Sequence, residues 1–521
     1  MHPCLNVDEI LRLLACELVG SEARATAVAL GSCCKSFEDP VLDALWETQH
    51  RLIPLLKCLP QDVWEEEEGD FVSELTSFIR PAHNRLIWKS FKRIPTKAEW
   101  NDFRKHARRM RCLTVDASDD PTTPSVLFAL QLRTAGEPFL PRLKIFECEN
   151  ASEAYIPFIP LLISCKTVWI KIAFDEDTPT VMVASMVARL PALCPDLERI
   201  TLTNLQRDTA TIEAVSEMLI ACNRDTLQRF LVDSPLTEEG QQVVYQLPKL
   251  SELWAVVQKQ TPLPPVTLPN LLLIDLEFDG HVDWLQGFRG VALGKLKEVF
   301  FSTYSHQIGN FLEEFESVAS TTSIPTTLLT FRLIAACSWN PNYRSLLPFT
   351  QLKDLVVEFS CDGGCSSMVD DDIITDLARA MPKLELLRLG CAPCETPTGV
   401  TIKGLIAIAC GCHHLSDLRI HFQTASLVQA ATSPETPHPS QGETAVRRPD
   451  CALKCLDVGK TPIPEGADSA VTMALLQIFP NILSVTPTVG RWESVSRNIT
   501  LFKRIGTLVH NTSKAVPFPY L

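Results

Sequence analysis

Two cysteine–histidine groupings carry spacings that could hold zinc: Cys391-x-x-Cys394, and Cys410-x-Cys412-His413-His414. Thiolate and imidazole ligands at such intervals can each close half of a tetrahedral shell. Cys391 and Cys410 nevertheless fall where a strand and a helix end, positions that want a small apolar side chain, so no metal is expected. Cys361-Asp-Gly-Gly-Cys365 reads as a turn. A second concentration of chemistry is basic. Ten lysines and arginines lie between Arg85 and Arg111, against only Glu99 and Asp102. Such a patch can meet phosphate. It stands beside the run Glu65–Glu68 in a chain of net charge −14, which favours a solvated, charge-balanced helix face and no nucleic-acid partner. The sequence contains no Gly-x-Ser-x-Gly, no phosphate-cradling glycine loop, no His-Glu-x-x-His and no dinucleotide fingerprint. The expectation is therefore a chain with no catalytic residues, no cofactor and no enzymatic activity of its own.

If the chemistry is recognition, its residues must be set out by a regular framework, and a framework is legible. A Leu-x-x-Leu-x-Leu pattern recurs, with clear copies at Leu197-Ile200-Leu202, Leu352-Leu355-Val357, Leu384-Leu387-Leu389, Leu415-Leu418-Ile420 and Leu453-Leu456-Val458. Weaker copies begin at Met110, Leu143, Thr167, Leu227, Leu250, Leu271, Leu296, Leu328 and Ile482, and the mean interval is about 29 residues. A strand alternates its side chains, so the second and third apolar positions of each copy point to one face. Burying a copy's three apolar side chains contributes roughly 1.5–3 kcal/mol each, provided a neighbouring copy covers them.

Between copies the apolar period turns helical, as in 210–222, 372–381, 402–410 and 467–479. Several of these helices end in a turn such as Leu193-Cys194-Pro195 or Met381-Pro382-Lys383. Strand, turn, helix, turn at this period is the pattern of a leucine-rich-repeat solenoid, strands concave and helices convex, irregular in this case. Regular repeats place Asn or Cys at the ninth position to bond the turn backbone. Here Ser118, Ala151, Leu205, Pro235, Asp279, Ser360, Ala392 and Gln423 occupy it, so no such ladder is expected. The residues offered by the concave face include Arg199, Thr201, Arg229, Asp233, Asp354, Glu358, Arg388, Asp417, Arg419 and His421. Their mixed charge suits a protein target of mixed polarity.

Composition agrees with a large buried core: 46% of the 521 residues are hydrophobic and 21% charged. No run of apolar residues is long enough to span a bilayer, and the first nine residues lack a basic leader region, so no membrane association is expected. Nineteen scattered cysteines read as reduced thiols, pointing to cytoplasm or nucleus.

The opening residues differ from the rest. Three short helices are predicted over 8–19, 22–33 and 40–50. A further helix over 96–110 opens with a capping box, Thr96 and Glu99. The segment 424–450, which holds Ser433-Pro-Glu-Thr-Pro-His-Pro-Ser440, has no periodicity and is predicted to be an inserted disordered loop.

The stretch Leu5-Asn6-Val7-Asp8-Glu9-Ile10-Leu11, with Leu14 and Leu18, then Ala27–Leu30, Cys33-Cys34-Lys35-Ser36-Phe37 and the closing Leu45-Trp46, resembles an F-box. That helical module docks substrate receptors onto the Skp adaptor of cullin–RING ubiquitin ligases. The chain as a whole is similar to F-box proteins of mushroom-forming fungi that carry irregular leucine-rich repeats. One departure is that Asp8 stands where the family usually has proline. The resemblance implies an F-box-like module over 1–50, a helical linker and cap over 51–109, and the repeats over 110–521. It implies a Skp-type adaptor and cullin complex as partners, held through Leu5, Val7, Ile10, Leu11, Leu14, Leu45 and Trp46, and an unknown protein target on the repeats. The alternative is an interaction scaffold with no ligase role, whose first residues only cap the array.

Overall fold

A computed structural model of the chain describes residues 7–21, 23–69, 85–118, 124–134, 138–258, 268–279, 293–303, 311–320, 324–336, 341–360, 369–391, 399–432, 451–486 and 490–515. It forms two compact units, Met1–Leu250 and Ser251–Leu521. Both are mixed α/β, built from parallel strands with helices between them.

In the first unit, three helices, α1 (Asp8–Gly20), α2 (Arg24–Cys33) and α3 (Lys35–Glu47), pack around Ala15, Ala27, Val41 and Ala44. Strand β1 (Thr48–Gln49) follows α3 directly. After the short α4 (Ile53–Leu56) comes an antiparallel hairpin, β2 (Trp64–Gly69) with β3 (Arg85–Phe91), and then α5 (Lys97–Ala107). Strands β4 (Cys112–Asp116), β5 (Ile145–Ala151), β6 (Trp169–Phe174), β7 (Arg199–Thr203) and β8 (Arg229–Pro235) complete the unit's ladder. It runs β1-β4-β5-β6-β7-β8, every pair parallel.

The second unit holds β9 (Glu252–Gln258), β10 (Leu273–Asp279), β11 (Glu298–Thr303), β12 (Thr330–Ala336), β13 (Asp354–Ser360), β14 (Leu386–Gly390), β15 (Asp417–Arg419), β16 (Cys455–Asp457) and β17 (Ser484–Thr486). These pair in sequence order, again all parallel.

The repeat register of the sequence is the register of the structure. Each strand from β4 to β17 begins two residues after the first apolar position of one copy. Those first positions, Met110 through Ile482, are all buried, as are the fourth positions from Leu113 to Val485. Equivalent positions face one another, so Leu355 pairs Leu387 and Leu387 pairs Leu418. The ladder extends one residue before the strands: the carbonyl of Lys353 accepts from the N–H groups of Glu385 and Leu386, and that of Glu385 from Ser416 and Asp417. Repeats of this kind bury their faces only against neighbours. In the second unit the interior is aromatic, Phe278, Phe301, Phe311, Phe315 and Phe331 forming a chain of ring pairs with centroids 5.0 to 6.3 Å apart.

Several expectations need correction. The head, 1–50, is not helical throughout: its last residues form β1, which pairs β4 as the first strand of the ladder, and 51–109 holds the hairpin of β2 and β3 as well as helices. The third head helix begins at Lys35, which places Pro40 inside it rather than near its start. Residues Thr424–Thr432, assigned to a disordered insertion, are helical, with Thr424 and Leu427 buried; residues 433–450 lie outside the described residues. The missing asparagine ladder is partly present one position earlier. Asn204, at a left-handed φ of 60°, donates its Nδ2 to the Phe174 carbonyl one repeat back at 3.1 Å. Asn150, at φ 53°, donates to Asp116 Oδ1 at 3.0 Å. Asparagine tolerates this conformation better than most residues, which is why it serves here.

Candidate functional site

Helix α1 carries two adjoining apolar stripes. Leu11 and Ala15 are buried, and Leu18 and Val19 pack against the head core. Val7, Ile10, Leu13 and Leu14, at helical spacing, face solvent, and Leu13 is 70% exposed. Val28 on α2 is exposed too. Of the adaptor residues read from the sequence, Val7, Ile10 and Leu14 therefore share one exposed face. Leu11, only 3% exposed, is core instead. Leu45 is half-buried and packs on the same core. Trp46 lies with its ring centroid 4.8 Å from that of His106 in α5, turned toward the body of the unit. Leu5 lies outside the described residues. Leu13 and Val28 were missed, although the i, i+3 spacing of Ile10 and Leu13 was the available signal.

The head is fastened to the rest of its unit. Arg109, just past α5, makes ion pairs with Asp39, at 2.6 Å, and with Asp43, both on α3. The Arg111 N–H donates to the Glu47 carbonyl at 2.9 Å. The expected capping box forms: Thr96 Oγ1 accepts from the Glu99 N–H, and Glu99 Oε2 from the Thr96 N–H. Arg93 grips the Glu99 carboxylate through two nitrogens, and this pairing holds Glu99 down to about 2.

The solvent-facing side of the strands is a charge lattice. In the first unit Lys171 pairs Glu149 at 2.5 Å, and the exposed Arg199 lies 5.2 Å over the Trp169 ring. Thr201 and Arg229 sit half-exposed beside them. Asp233 instead accepts from the backbone N–H groups of Asn204 and Leu205, at 2.5 and 3.1 Å, so its carboxylate pins a turn.

In the second unit Arg332 approaches Asp354 at 3.9 Å, and Arg388 engages Asp417 at 3.2 Å. Arg419 bridges Glu358 and Asp457, both at 2.6 Å. Glu358 lies two strands from Arg419, and Gly390, its partner in β14, has no side chain to stand between them. His421 is buried beside the Arg419–Asp457 pair rather than offered to solvent. Only 8% exposed, it follows the end of β15 and packs under Gly459, and burial lowers its pKa. Asp275 of β10, absent from the sequence-derived set, is pushed up to about 6 by burial and by Glu277, with Trp254 and Phe300 at the paired positions on either side.

Several cysteines serve packing, whereas Cys410 is exposed. Cys194 and Cys412 are buried where helices turn into strands, and Cys451 is buried shortly before β16. Their thiols approach carbonyls one repeat back: Ser164 at 3.4 Å, Met381 at 3.8 Å and Cys412 at 3.4 Å respectively. Burial pushes Cys194 and Cys412 up to about 12. Cys391 is buried at the end of β14; Cys361, Cys365 and Cys394 lie outside the described residues. Among the described residues no group of three or more His, Cys, Asp or Glu could hold a metal ion, and no helix is long and apolar enough to cross a membrane. No family model and no curated protein matches the chain.

Proposed function

We propose that this chain is the substrate-recognition subunit of a Skp–cullin–F-box type ubiquitin ligase. Its head grips the adaptor, and its strands, read as an irregular leucine-rich-repeat solenoid, present their charged face to a protein target. The chain supplies proximity and the ligase supplies the chemistry. The observation that carries this reading is the second apolar stripe of α1, Val7, Ile10, Leu13 and Leu14, left uncovered beside the stripe that builds the head core. Exposed apolar side chains gathered on one helix face mark an interaction site. The ion pairs of Arg109 support it further, since a receptor needs its head held firmly to the strands that follow it, and these pairs do so within the first unit.

The scaffold reading has its own support. Strand β1 covers the edge of β4, as a cap would. The two readings separate on co-expression of the full chain with a Skp-type adaptor, followed by size-exclusion chromatography. The ligase reading expects one comigrating peak, lost in Ile10→Asp/Leu13→Asp with the circular dichroism unchanged. A wild-type chain that elutes apart from a folded adaptor leaves the scaffold. Leu11 is unsuited to this test, because its replacement would unfold the head.

A further inference from the structure

The arginines near residue 110 do not all belong to a solvated helix face. Lys105 does, pairing Asp102 at 2.8 Å, and cations in the last turn of α5 suit its macrodipole. Arg108, Arg109 and Arg111 instead line a cleft of about 220 Å³ that also receives Arg12 from α1 and Arg142 from the turn before β5. Five arginines from three parts of the chain thus line one cleft, with Asp43 and Glu47 in the same lining.

Two of the five have partners. Arg12 pairs Asp8 at 2.9 Å, and Arg109 holds Asp39 and Asp43. Among the described residues Arg108, Arg111 and Arg142 meet no carboxylate within 4.0 Å, Glu47 included. No single helix face or dipole accounts for this gathering, since Arg12 and Arg142 come from elsewhere in the chain. Asp8, Asp39 and Asp43 engage two of the arginines, and the other three, left without an ion-pair partner around one cleft, can take an anion from outside. Guanidinium forks offer paired N–H donors that match phosphate oxygens two at a time.

We propose that this cleft binds a phosphomonoester, carried either by a phosphorylated protein segment or by a small free phosphate ester. At ~30 Å³ per water the space equals about seven waters, enough for one or two phosphate groups. A nucleic-acid duplex does not fit the pattern. It needs a long track of phosphate contacts, and Asp8, Asp39, Asp43 and Glu47 interrupt any such track here. The proposal stands apart from the ligase reading and survives its failure.

The test is calorimetric titration of the full chain at low ionic strength with two probes, the small monoester glycerol 3-phosphate and a phosphoserine peptide. Arg108→Ala/Arg142→Ala removes two unpaired cations, and Lys166→Ala/Arg189→Ala removes two exposed cations elsewhere as a charge-matched control. Saturable binding by wild type and control, weakened at least tenfold in the cleft variant, is the expected result. The tighter probe names the source. Absence of saturable binding to both probes, equal losses in the two variants, or displacement of both probes by an equal phosphate concentration of duplex DNA overturns the proposal.

Discussion

Arg419 is the cation on which three strands of the second unit depend. It donates to Glu358 on β13 and to Asp457 on β16, each at 2.6 Å, and all three side chains are only about one-fifth exposed. Replacing it by methionine keeps most of the stem and deletes both bonds. A charge-assisted hydrogen bond is worth about 1.5–3 kcal/mol. Two of them, less the ordering entropy of the long side chain, give roughly 2–4 kcal/mol. Glu358 and Asp457 would also be left shielded from water without their counter-charge. Because the chain has two compact units, a whole-chain unfolding curve would blur the effect. Amide hydrogen exchange of peptides covering β15 and β16 reads it directly, as a loss of protection of roughly thirty- to several-hundred-fold. In Glu358→Gln/Arg419→Met part of that protection returns, since one stranded carboxylate is gone. A change in Arg419→Met under threefold, or a double variant that merely adds the two single losses, would refute the reasoning: the lattice would then be surface decoration.

Two further outcomes concern the same unit. Gly459 has φ +53°, and a Cβ there would overlap the buried His421 ring, so Gly459→Ala should lose about 1–2 kcal/mol from backbone conformation alone and more from the collision; a thermal midpoint within a degree of wild type would contradict this. Asp275 titrates near 6 in the folded chain, above the ordinary carboxylate, so the folded state holds its proton more tightly and stability should fall as pH rises from about 4 through about 6, then level. Asp275→Asn should remove that slope and stabilise the chain by about 1–2 kcal/mol at pH 7.5, allowing for the solvent that still reaches the group. Equal pH profiles of thermal midpoint in the two proteins would count against it.

The ladder was legible because each copy repeats three apolar positions whose burial is obligatory, so even Thr167 and Met110 could be aligned by their neighbours. Strand β1 was not, since Thr48-Gln49 has no pattern of its own and is a strand only because Cys112 and Leu113 pair it. The hairpin strand holding Glu65–Glu68 ran against the usual avoidance of repeated acids in strands. In the head, adjacent apolar stripes on α1 make Leu11 and Leu14 equivalent to a sequence reader, and only the packing of α2 and α3 tells them apart. The strand face carries charges of both signs. That Arg419 reaches Glu358, 61 residues away, depends on strand order and on a glycine between them.

Since the head contributes the outermost strand of the first ladder, amputating it would not yield a clean set of repeats. A chain started at residue 51 would bare the backbone donors and acceptors of Cys112 and Leu113 along an open flank. Such a flank invites a second molecule to zip on. Truncated protein would therefore self-associate or precipitate, and its failure to bind any partner would report stickiness rather than the loss of a recognition element.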